Sequence, residues 1–143
     1  NCRFGDPETE AVLPLLESNL LDVMLAVARG ESVTGHRLQW SPRAAVTTVI
    51  AADGYPDTPR KGDEITLPAR RTDVHIFHSG TAVSQAGGLV TAGGRVLAVT
   101  AVADTIIEAQ LLSRNAAGEV RLSGKQSRTD IGWREIDRFS HRR

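Results

Sequence analysis

The chain has 143 residues, 41% hydrophobic and 24% charged, with 17 Lys plus Arg balancing 17 Asp plus Glu. That length holds one domain, or one small domain with an appendage, and it suffices for a core. The zero net charge argues against a non-specific nucleic-acid binder, the single Cys2 excludes an internal disulfide framework, and no apolar run approaches the roughly 18 residues of a membrane span.

The chain starts without Met, inside a dense polar motif, Asn1-Cys2-Arg3-Phe4-Gly5-Asp6-Pro7-Glu8, as a fragment of a longer protein would. No basic-then-apolar leader is visible there. Asp6-Pro7-Glu8 is a helix-start signal: Asp6 suits a cap, Pro7 the first helical position and Glu8 the positive dipole end. Pro14 interrupts that helix. Ser18 is the expected N-cap of a second helix, with Leu20, Val23, Met24 and Val27 forming one apolar stripe and Gly30 the stop. Polar residues 35–43 read as a linker.

From Ala44 the texture changes. Residues 44–52 are apolar and β-branched, a buried strand ended by the turn Asp53-Gly54-Tyr55-Pro56. Glu64 to Leu67 and Asp73 to His78 read as short strands. Gly87-Gly88 and Gly93-Gly94 bracket Leu89-Val90-Thr91 as a hairpin entering a strong strand from Arg95 to Val102. Asp104 is the expected cap of a helix to about Asn115, with Gly118 its stop. Glu119 to Leu122 is a further short strand, and 130–136 the last patterned segment. The expected fold class is α+β: a short helical segment, then a small strand-rich unit with an antiparallel or mixed sheet and one or two helices.

Each candidate for chemistry has a plainer alternative. Cys2 beside Arg3 has no neighbouring His as base, so it reads as inert. His75 and His78 fall on opposite faces of a strand, which argues against joint metal binding. Gly124-Lys125-Gln126 imitates the end of a P-loop, but Glu119 stands where a glycine is needed and Gln126 replaces Ser or Thr. Gly93-Gly94-Arg95 reads either as hairpin glycines or as backbone and guanidinium fork poised for a phosphate or carboxylate. Asn1 and Arg3 share a face if extended; an amide oxygen suits magnesium and the arginine a phosphate, while the plain alternative is a capped helix start.

Asn1 to Thr9, followed in order by Gly54-Tyr55-Pro56, Lys61-Gly62-Asp63, Phe77-His78-Ser79-Gly80-Thr81, Gly93-Gly94-Arg95-Val96-Leu97, Glu108-Ala109 and Arg128-Thr129-Asp130-Ile131-Gly132, resembles the phosphoribosylamine–glycine ligase (glycinamide ribonucleotide synthetase) family over essentially the whole chain. Ser79, Ala92 and Thr58-Pro59-Arg60 depart from the usual pattern, and Ala92 offers no polar side chain for a substrate contact there. The resemblance implies a cytoplasmic ATP-grasp ligase of purine biosynthesis that joins glycine to 5-phosphoribosylamine through a glycyl phosphate. It implies residues 1–39 as the end of the ATP-grasp domain and 40–143 as the C-terminal domain. By the same resemblance Asn1 is a ligand for Mg2+ or Mn2+, Arg3 is catalytic, and Gly93, Gly94 and Arg95 reach the substrate. ATP is the co-substrate, and the fragment alone is expected to be inactive and prone to self-association. The alternatives are a non-catalytic interaction module and a related carboxylate–amine ligase.

Overall fold

The strongest strand signal becomes the spine of the fold. Arg95–Ala103 forms a strand in which every residue after Arg95 is buried, and a strand covered on both faces needs this unbroken apolar and small composition. The structure, a computed structural model, describes residues 2–140. In chain order its elements are α1 (Glu8–Val12), a 3-10 turn (Leu13–Leu15), α2 (Leu20–Ala28), β1 (Ala44–Ala51), β2 (Val74–His78), β3 (Thr81–Val83), β4 (Leu89–Thr91), β5 (Arg95–Ala103), α3 (Ile106–Glu119), β6 (Gln126–Ser127) and α4 (Trp133–Ser140). The main sheet has the order β2-β5-β1-β6 and every pairing in it is antiparallel. This is the α+β architecture that the sequence leads one to expect. No helix among the described residues is long and apolar enough to cross a membrane.

The two faces of the sheet are covered differently. Thr48 pairs with Val99 across β1 and β5, and this face meets α3. Ile50, Leu97 and Val99 pack there with Ala116, Ala117 and Val120. The buried Ser113 hydroxyl meets that of Thr48 at 2.6 Å and donates to the Val99 carbonyl at 2.9 Å, so α3 approaches on small residues with its one buried hydroxyl satisfied. On the opposite face Thr47 pairs with Thr100, hydroxyl to hydroxyl at 2.7 Å. The Thr100 hydroxyl then donates to the Glu10 carbonyl at 2.9 Å. With its single proton spent there, Thr100 accepts from Thr47. This chain of hydroxyls fastens α1 to the sheet.

Several elements differ from their sequence signals. Asn19, not Ser18, caps α2, its Oδ1 accepting from the Leu21 amide at 3.1 Å. Ser18 instead accepts from the Gln39 amide at 2.6 Å, where the chain returns beside residues 15–17. Thr105, not Asp104, caps α3 through a reciprocal capping box with Glu108. That helix runs through Gly118 to Glu119, because the Lys125 ammonium caps it from outside, donating to the carbonyls of Ala117, Gly118 and Val120. The expected strands 64–67 and 119–122 shrink to single bridges, Glu64 with Val90 and Thr66 with Arg121. The hairpin is also different. β4 pairs with β3 in a separate two-stranded sheet, and Ala92-Gly93-Gly94 carries the chain from that sheet into the main one.

Candidate functional site

The connection from β4 to β5 is built on close backbone approaches. Gly80 and Gly93 cross so tightly that a Cβ on Gly80 would lie 2.8 Å from the Gly93 Cα and 2.5 Å from the Arg95 carbonyl oxygen. The Gly80 carbonyl accepts from the amides of Ala92 (2.8 Å) and Gly93 (3.2 Å), and the Gly80 amide donates to the Arg95 carbonyl (2.8 Å). Gly94 lies against the ring of Tyr55, 2.5 Å from Cδ2 for a Cβ placed there, and its carbonyl accepts from the Ala52 amide at 2.8 Å. Both glycines are therefore explained by internal packing. Neither has a positive φ, so the conformational freedom of glycine is not what is used here. Their combined effect is to fix the Cα of Arg95 at the start of β5.

The Arg95 side chain reaches the N-terminal motif. Its Nη1 donates to the Asp6 carbonyl at 3.2 Å and its Nη2 lies 3.3 Å from Asp6 Oδ2. The candidate Arg95 thus shares one seam with a residue of the N-terminal motif 89 positions away. The seam is open to solvent: the Arg95 side chain is 43% exposed and that of Asp6 36%. Asp6 does not cap α1 as its position suggests. The capping position falls on Pro7, with no side-chain hydrogen bond, and the Asp6 carboxylate serves Arg95 instead. The Arg95 Nε makes no hydrogen bond among the described residues.

The other candidates are placed as follows. Arg3 is exposed and donates Nη1 to the neighbouring Phe4 carbonyl at 2.7 Å; the structure does not bring it against Arg95. Asn1 lies outside the described residues. Cys2 is exposed and free. His75 and His78 are both exposed, and His78 Nδ1 sits 3.1 Å from the Thr81 hydroxyl. No three His, Cys, Asp or Glu side chains among the described residues converge as a metal site. Lys125 of the P-loop look-alike is committed to the end of α3, and its burial pulls the ammonium pKa below the ordinary lysine value.

A second polar cluster holds the 53–63 loop beside this seam. Arg60 Nε donates to Asp63 Oδ2 at 2.7 Å, and Nη1 lies 3.1 Å from Asp53 Oδ2. The hydrogen bond to Asp63 holds the guanidinium pKa above its ordinary value. The buried Thr91 hydroxyl accepts from the Asp63 amide (3.1 Å) and donates to the Arg60 carbonyl (3.2 Å). Near α4, Arg128 grips Asp130 with two parallel bonds of 2.9 and 2.7 Å, which lowers the Asp130 pKa. An open groove of about 890 Å³ lies away from all of this, between residues 67–72 and the free edge of β2.

Comparison with known families identifies the seam's setting. Residues 45–134 match the family described as phosphoribosylglycinamide synthetase, C domain. The chain belongs to that family. A phosphoribosylamine–glycine ligase of Ralstonia nicotianae is 44% identical over 139 residues, and that of Salmonella typhimurium 42% over 140. In both, the match covers 96% of this chain and 32% of the relative. The crystal structure of phosphoribosylamine–glycine ligase from Thermotoga maritima superposes with a TM-score of 0.77 at 39% identity, covering 90% of this chain and 31% of that one. The chain thus spans about a third of the length of these relatives.

Asp6, Tyr55 and Gly80 are the site residues that sequence reasoning passed over. Asp6 had a ready explanation as a helix cap. Tyr55 read as a turn residue, and Gly80 only as part of a motif; a glycine's role in crossing another glycine leaves no local signal.

Proposed function

We propose that the chain is the C-terminal part of an ATP-dependent ligase that joins glycine to 5-phosphoribosylamine, giving glycinamide ribonucleotide, ADP and phosphate. The observation that carries this reading is the family match over residues 45–134, with phosphoribosylamine–glycine ligases 44% and 42% identical along 96% of the chain; the contact of Asp6 with Arg95 adds that two of the matching motifs meet in one seam. In this reading residues 1–39 end the ATP-grasp domain and 40–143 form the C-terminal domain. A glycine carboxylate oxygen attacks the γ-phosphorus of ATP and ADP leaves. The amine of phosphoribosylamine then attacks the acyl carbon of glycyl phosphate, phosphate leaves, and the new amide nitrogen loses a proton.

Both steps pass negative charge between oxygens, so positively charged groups aimed at those oxygens lower the barrier. Arg3 faces the transferring phosphoryl or acyl phosphate, and Arg95, framed by Gly93 and Gly94, holds the anionic substrate through its planar fork. Asn1 offers one oxygen to Mg2+ or Mn2+. When bound, the ion offsets charge on the transferring phosphoryl group. The working compartment is the cytoplasm.

A second reading, a non-catalytic interaction module, is favoured by the exposed apolar side chains of α2, where Leu21 is 57%, Met24 49% and Val27 63% exposed. ADP release with glycine, phosphoribosylamine and magnesium-ATP separates the two. The expected result is turnover by a version of the relatives' full length and none by residues 1–143. If the long version binds ATP without turnover, the substrates belong to a related carboxylate–amine ligase. If it does neither, the module reading stands.

A further inference from the structure

The backbone of Arg95 is fixed by glycine crossings, but among the described residues its guanidinium is held by Asp6 alone. We infer that Asp6 is a positioning residue: it holds two corners of the Arg95 fork and so turns the remaining N–H groups toward the bound anion. This deepens the proposed function and rests on its placing of Arg95 at the substrate.

The argument is geometric. An arginine has five N–H donors in a rigid plane. Asp6 engages that plane twice, through its carbonyl at Nη1 and its carboxylate at Nη2. Two contacts from one residue fix the rotation of the plane as well as its position. The Nε edge makes no hydrogen bond among the described residues, and beside a solvent-open seam it is the edge a phosphate would take bidentately. Unrestrained, a long side chain 43% exposed would sample many rotamers and lose them on binding. Asp6 removes part of that cost beforehand. Its local role in the helix is dispensable, since α1 takes no side-chain cap from it.

The test is steady-state kinetics in the full-length ligase carrying this segment. Asp6→Asn should raise KM for phosphoribosylamine about tenfold while kcat and the KM for ATP change less than about twofold. Asp6→Glu, which keeps the carboxylate, should recover part of the loss. In an Arg95→Lys background Asp6→Asn should add nothing, because the fork it steers is gone. Thermal melting of each variant monitors folding. An unchanged KM in Asp6→Asn overturns the inference. So does an effect as large in the Arg95→Lys background as in the parent, or equal loss in Asp6→Glu and Asp6→Asn. If Arg95→Lys itself leaves all constants unchanged, it is the assignment of Arg95 to the substrate that fails, and the role of Asp6 falls with it.

Discussion

Gly80 and Gly94 both exclude a side chain, but the neighbours that exclude it differ in how far they yield. At Gly80 a methyl group would meet the Arg95 carbonyl oxygen and the Gly93 Cα, backbone atoms held by hydrogen bonds on both strands. At Gly94 it would meet the edge of the Tyr55 ring, and Tyr55 is 38% exposed, so the ring has room to swing. Gly80→Ala should therefore destabilise by about 3 kcal/mol and Gly94→Ala by about 1 kcal/mol, the two ends of the usual overpacking range. Urea unfolding of the two variants checks the order. Equal losses would mean that the ring is held as firmly as the backbone. The sequence announces glycine pairs at both ends of 89–91 and invites a hairpin reading, since glycine in a turn and glycine at a crossing look alike until the crossing partner is known.

At the scale of elements, α3 shows what a sequence reveals and what it conceals. Its start is legible, because Thr105 and Glu108 form a capping box from residues three apart; only the choice between Asp104 and Thr105 goes astray. Its end is not legible. Gly118 signals a stop, yet the helix continues because Lys125, beyond the next turn, satisfies the carbonyls of its last residues. Lys125→Met should destabilise by about 1.5–3 kcal/mol, the scale of a charged hydrogen-bond donor lost at a helix C-terminus. Amide exchange should rise first at residues 117–120. Protection there equal to the parent would show that water replaces the ammonium without loss. The central strands β1 and β5 are legible for a simpler reason: their burial on both faces leaves little room for polar residues, so composition alone marks them. The 64–67 and 119–122 segments have strand composition too, but they make only isolated bridges, Glu64 with Val90 and Thr66 with Arg121, and pairing is a tertiary fact.

For the whole molecule the unbalanced feature is α2. Ala26 is its one buried residue, while Leu21, Met24, Leu25 and Val27 stand exposed. An apolar face of this kind on a free chain drives association. Sedimentation equilibrium should give a mass rising above the 15.4 kDa monomer with concentration, and Leu21→Glu with Met24→Glu should return it to the monomer. A parent that stays monomeric at high concentration would count against this. The candidate site was legible in part. Gly93-Gly94-Arg95 and the N-terminal motif both stood out, but nothing local joins them, because Asp6 and Arg95 lie 89 residues apart.

That separation ties ligand binding to folding. The seam exists only after the chain has closed a loop of most of its own length, and the Thr100 to Glu10 bond closes a second of 90 residues beside it. An unfolded or half-folded chain has neither edge in place. If the seam holds an anion, as proposed above, that anion is recognised by the finished fold alone, and its binding would be felt in full as resistance to unfolding. At a hundredfold excess over Kd that is about 2.7 kcal/mol, a large share of what holds a domain of this size together.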